Sequence, residues 1–145
     1  MAPSKAPLRL LAEDPDDLAV ISAALQDAVG QIGDIAYQAS ARQLTLALNR
    51  YRWENGARTQ ERVRTGVQFG GVMAVKTRNL RRDVKDAVVE LLAISFEPGE
   101  APGGAIILTF AGGGDLRAEV EMIDIIAADL SSPWPTPNTP KHDLT

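Results

Sequence analysis

The chain has 145 residues, 45% hydrophobic and 23% charged, which suits one domain with a single core and neither a disordered chain nor a fibrous repeat. It contains no Cys and one His, so a disulfide framework, a thiolate metal cage, a cysteine nucleophile and a histidine-rich metal site are excluded. The net charge of −4 argues against generic nucleic-acid binding only as a global sum, which local asymmetry can reverse.

Lys5 and Arg9 are followed by Glu13, Asp14, Asp16 and Asp17 rather than by an apolar stretch, so no secretory leader is predicted. No run reaches the roughly 18 apolar residues of a membrane-spanning helix, and a soluble, cytoplasmic protein with no membrane partner is expected. Leu8, Leu10 and Leu11 form a brief strand that stops at the acidic cluster. There Asp14 can accept hydrogen bonds from free backbone N–H groups, Pro15 suits the first helical position, and Asp16 and Asp17 complement the helix dipole. Leu18, Ile21, Leu25 and Ala28 then recur at helical spacing, and Gly30 and Gly33 end the helix.

The period changes in the middle of the chain. Gln43 to Asn49 and Arg62 to Phe69 alternate apolar and polar, the mark of half-buried strands. Further strands are predicted over Ile32 to Gln38, Val72 to Arg78, Val88 to Glu97, Ala105 to Ala111 and Leu116 to Val120. The breaks carry turn residues: Ala39 to Arg42, Asn55-Gly56, Gly70-Gly71, Pro98 to Gly104 and Gly112 to Asp115. Connections this short favour antiparallel neighbours. Val120, Ile123, Ile126, Ala127 and Leu130 return to helical spacing and predict a second, C-terminal helix. Four of the nine prolines fall in residues 132–145, which are expected to form an extended tail beyond a single domain over 1–131.

The predicted fold class is therefore α+β: about seven antiparallel strands in a bent sheet or partly open barrel, with an N-terminal and a C-terminal helix. Seven strands followed by a capping helix resemble a pleckstrin-homology-like split barrel.

The run Leu44 to Glu54, the run Leu91 to Phe96, the run Leu108 to Gly114 and the acidic segment to Asp129-Leu130 resemble a bacterial family of small proteins known only as a domain of unknown function. The resemblance spans about Leu8 to Asp143. It implies a soluble bacterial domain and brings no activity, cofactor or catalytic residue with it.

Charge is the most distinctive feature. Residues 42–85 sum to +8 and the remainder to −12. Arg50, Arg52, Arg62 and Arg64 stand out, because residues two apart in a strand share a face and the two segments can be neighbours in a hairpin. Guanidinium forks on one face would suit RNA, phosphate or an acidic protein partner; the alternative is a solvated face balanced by the chain's own carboxylates. Tyr51 and Trp53 alternate with Arg50 and Arg52 and so face the other way in a regular strand, which weakens a stacking platform for single strands.

Other motifs are weaker. Gly112 to Asp115 reads as a hairpin turn rather than a phosphate loop, because it lacks the Lys-Ser/Thr pair and continues into a strand. Glu13, Asp14, Asp16 and Asp17 lack the central Gly and distal Glu of a calcium loop, so capping is the reading adopted. No Ser lies in a nucleophile elbow, and His142 sits in a Pro-rich end. Pro137 to Pro140 satisfies a bare PxxP, and Trp134 either packs back on the domain or anchors another chain. No catalytic residue, metal site or cofactor is expected. The function read from the sequence is a non-catalytic protein-binding or scaffold module, able to self-associate, acting through Arg50, Arg52, Arg62, Arg64 and Trp134. An RNA- or nucleotide-binding domain using the same arginines is the alternative, and an enzyme using carboxylates and arginines in a cleft is a third.

Overall fold

A computed structural model describes residues 7–55 and 60–137. Gly56 of the expected turn, Arg58, His142 and the segment from Asn138 to Pro140 lie outside the described residues.

The strands are β1 (Arg9–Ala12), β2 (Ala28–Gln38), β3 (Gln43–Tyr51), β4 (Glu61–Phe69), β5 (Val72–Arg78), β6 (Val88–Pro98), β7 (Gly104–Phe110), β8 (Asp115–Val120), β9 (Ile125–Asp129) and β10 (Trp134–Pro135), with a helix α1 (Pro15–Ala24) between the first two. Among the described residues, all ten strands join one sheet in the order β1-β9-β4-β3-β2-β6-β7-β8-β5, with the short β10 also on β4. Every pairing is antiparallel. The path has two ends, β1 and β5, and does not close.

The α+β expectation with two helices is therefore corrected: among the described residues the fold is an open antiparallel sheet with one α-helix. The expected C-terminal helix is strand β9. Its residues alternate, with Ile125 and Ala127 buried and Ile126 and Ala128 half-exposed, so the pattern serves a strand better than a helix. β-Branched Ile125-Ile126 favours that choice, and tertiary context decides it. β9 fills the slot between β1 and β4, pairing Ile125 with Ala12 on one side and with Phe69 on the other. A helix there would leave two strand edges with unmade backbone hydrogen bonds. The pleckstrin-homology-like reading, which needs a capping C-terminal helix, falls with it.

One face of the curled sheet holds the core. Leu44, Leu46 and Leu48 of β3, Val67 and Phe69 of β4, and Leu116, Ala118 and Val120 of β8 all point into it. Helix α1 covers one side with Leu18 and Ile21 buried. Asp14 caps it as expected, accepting from the Asp17 N–H at 2.8 Å, with Pro15 at its start. The Ile94 N–H, just past the register shift between Leu91 and Ala93 of β6, donates to the Ser22 hydroxyl at 2.9 Å and ties the helix to the sheet.

The helix is shorter than its apolar stripe suggests, because Ala28 already belongs to β2. Gly30 and Gly33 lie inside that strand and allow close approach instead. A Cβ at Gly30 would sit 2.6 Å from Leu48 Cδ2, and one at Gly33 would sit 2.9 Å from the Lys85 carbonyl.

Candidate functional site

Of the four arginines singled out by charge, Arg50 lies on β3, Arg62 and Arg64 lie on the paired strand β4, and Arg52 directly follows β3; they do not share one face. Register places Arg50 opposite Val63, Tyr51 opposite Arg62 and Asn49 opposite Arg64. Arg50 therefore continues the inward row of Leu44, Leu46 and Leu48, while Arg62 and Arg64 point outward with Asn49 and Tyr51. The sequence carried this signal: Arg50 is two, four and six residues from three leucines, so period two sends it inward with them.

Arg50 and Arg52 are each about 1% exposed and held by the chain's own carboxylates. Arg50 Nε and Nη2 donate to the two oxygens of Asp129 at 2.9 and 2.8 Å, and Nη1 and Nη2 donate to Glu54 at 2.9 and 2.8 Å. Thr65 Oγ1 and the Leu8 N–H also donate to Asp129, both at 2.8 Å. Arg52 Nη1 donates to Glu61 at 2.7 Å, and Asn55 Nδ2 shares that oxygen at 2.9 Å. Burial disfavours the Arg50 cation, yet the Asp129 and Glu54 carboxylates more than offset it and raise its pKa. Burial likewise opposes ionisation of Asp129, but bonds from Arg50, Leu8 and Thr65 prevail and lower its pKa. This network is a fastener joining β3, β4 and β9.

On the outer face Arg64 donates to Asp34 at 2.9 Å and to Asn49 Oδ1 at 3.2 Å. Arg62 donates to the Asn49 carbonyl at 2.9 Å and lies over the Tyr51 ring, 5.9 Å from its centre. Burial lowers its pKa against the attraction of Glu90, Asp27 and Tyr51. Trp134 pairs with Arg62 through its backbone, and the residue stays 37% exposed. Arg50, Arg52 and Arg64 are thus each met by a carboxylate of the chain, and Arg62 by a backbone carbonyl and the Tyr51 ring.

A concavity lies elsewhere, beside an irregularity in β2. β2 pairs with β3 as Gly30 to Leu48 and then as Ile35 to Leu46, so four residues of β2 bulge opposite one of β3. Within the bulge the Ile32 and Gly33 N–H groups turn to the carbonyls of Ala87 and Lys85, at 2.9 and 2.7 Å. The loop of residues 79–87 is thereby stapled beside β2. Its other end is seated on the β7–β8 turn, where Gly114 leaves room for Leu80: a Cβ there would lie 2.5 Å from Leu80 Cδ2. Gly112 and Gly113, at φ 88° and 95°, make the turn that the sequence led us to expect.

Across from the bulge runs the end strand β5. Between the two opens a pocket of about 600 Å³. Its floor is Ile32, Leu44 and Leu116, all buried, and its walls are Ile35, Tyr37, Val75 and Thr77. The Tyr37 hydroxyl donates to the Val72 carbonyl at 2.9 Å, a strut between β2 and β5 at one end. The 79–87 loop supplies Leu80 and an exposed rim of Arg82, Asp83 and Lys85. Sequence reasoning missed this site because it assigned Gly30 and Gly33 to a helix end. Glycines inside a strand pattern are a bulge signal, and they mark it.

The arrangement can enclose an apolar body and meet a charge at its mouth. Among the described residues no three His, Cys, Asp or Glu side chains converge as a metal site, and no helix is long and apolar enough to cross a membrane. No curated protein and no solved structure matches the chain. A family model described as a protein of unknown function, DUF2948, matches residues 8–142, in line with the resemblance noted in the sequence. The chain belongs to the DUF2948 family.

Proposed function

We propose that this domain is a non-catalytic binding module and that its binding site is the pocket between β2 and β5. One observation carries the reading: a pocket of about 600 Å³ with a buried aliphatic floor, within the roughly 300–1,000 Å³ typical of ligand sites. The binding role expected from the sequence is kept, and its place moves. Arg50 and Arg52 are spent on Asp129, Glu54 and Glu61, and Arg64 on Asp34, so the β3–β4 strands have little charge left for a partner.

The test is binding of the neutral apolar dye Nile red. Wild-type protein is expected to bind it with a blue-shifted emission, and Ile35→Trp, which fills the pocket from a half-exposed wall position, is expected to abolish most of the signal with the melting temperature nearly unchanged. Absence of binding, or binding indifferent to Ile35→Trp, would refute the site.

A further inference from the structure

We infer that the ligand is an amphipathic monoanion, an apolar carboxylic acid, whose chain lies on the aliphatic floor and whose carboxylate meets Arg82 and Lys85. This rests on the pocket being the binding site. The charge of the rim carries the inference. Most described arginines are paired with the chain's own carboxylates: Arg42 with Glu121, Arg50 with Asp129 and Glu54, Arg52 with Glu61, Arg64 with Asp34, Arg78 with Asp115, and Arg117 with Glu97 and Glu119. Among the described residues Arg82 and Lys85 form no ion pair, although both line the pocket. Asp83 beside them leaves the rim with one net positive charge, matched by one negative charge on a ligand.

The rim is also held in place. Consecutive turns, Arg82 N–H to Leu80, Val84 N–H to Arg81 and Ala87 N–H to Val84, each at 3.0 Å, brace the loop from within. Gly33 and Ile32 staple it to the bulge. The two cations therefore sit on a fixed backbone at the edge of an apolar hollow. A carboxylate takes charge-assisted hydrogen bonds from both kinds of head group, and an alcohol of equal chain length takes only neutral-acceptor ones.

Calorimetric titration with dodecanoate, dodecanol and dodecylamine, each below its micelle concentration, separates this inference from the reading beneath it. Dodecanoate is expected to bind about tenfold more tightly than dodecanol at low salt, with dodecylamine weakest and the preference shrinking as salt rises. The double variant Arg82→Ala/Lys85→Ala is expected to bring dodecanoate down to the affinity of dodecanol while leaving dodecanol unchanged. Both residues are exposed, so the variant keeps the wild-type melting temperature. Equal binding of acid and alcohol by the wild-type protein, or a preference that survives the double substitution, overturns the carboxylate inference and leaves the pocket standing. If none of the three binds and Nile red does not either, the site itself falls.

Discussion

Asp129→Asn is the sharpest perturbation of the fold, because the carboxylate receives four hydrogen bonds at 3% side-chain exposure. Its Oδ1 accepts from Arg50 Nε and Thr65 Oγ1, and its Oδ2 from Arg50 Nη2 and the Leu8 N–H. An amide can keep only one of these oxygens; its NH₂ group must face two donors. Two bonds to an ionised acceptor, each worth about 1.5–3 kcal/mol, are lost. The total of roughly 3–6 kcal/mol overlaps the cost of about 3–5 kcal/mol for breaking a buried ion pair from one side. Glu54 still pairs with Arg50, which keeps the loss at the lower end. With a urea slope of about 2 kcal/mol per molar, the unfolding midpoint is expected to fall by about 1.5 M. Fluorescence-monitored urea unfolding measures this, with Asp115→Asn as the control. Asp115 pairs with Arg78, whose side chain is 76% exposed, and a surface pair is worth at most about 1 kcal/mol. If Asp129→Asn moves the midpoint no further than Asp115→Asn at the same slope, the network does not fasten the strands.

The same carboxylate sets an acid dependence. Its folded pKa lies below the ordinary value because Arg50, Leu8 and Thr65 outweigh the effect of burial, so its stabilisation is complete above an unfolded aspartate's pKa, about 3.9, and is lost as pH falls through the folded value. Urea midpoints from pH 7 to pH 2 should therefore show the gap between wild type and Asp129→Asn narrowing progressively below about pH 4; a gap that stays constant contradicts the assignment. Gly33→Ala brings a Cβ to 2.9 Å from the Lys85 carbonyl and 3.3 Å from Lys85 Cβ, which the stapled loop can relieve only by moving. A cost of about 1–3 kcal/mol is expected in urea unfolding, together with weaker Nile red binding, and an unchanged midpoint would mean that the loop is not stapled to the bulge.

All seven strands expected from alternation and turn residues are present, and so is the brief strand at Leu10-Leu11. Such features depend on neighbours a few residues apart, which is why Asp14-Pro15 and Gly112-Gly113 also behave as their local chemistry requires. The inward aim of Arg50 was legible in the same period. Its partner was not, because Asp129 is distant in the chain and only the pairing of β4 with β9 brings the two together. The segment from Ile125 to Asp129 lies in a run that also has helical spacing, and the open edges of β1 and β4 decided for the strand. The pocket is the extreme case: it exists because a bulge in β2 meets a loop after β5 across an unclosed sheet.

Composition and charge established one thing beyond local structure, that a segment near +8 must find carboxylates either inside the molecule or on a partner. Tertiary structure decided in favour of the inside for Arg50, Arg52 and Arg64 and left Arg82 and Lys85 at the pocket rim. The reason is physical: backbone periodicity dictates which way a side chain points, whereas the charge it meets depends on strand pairings that no local pattern encodes.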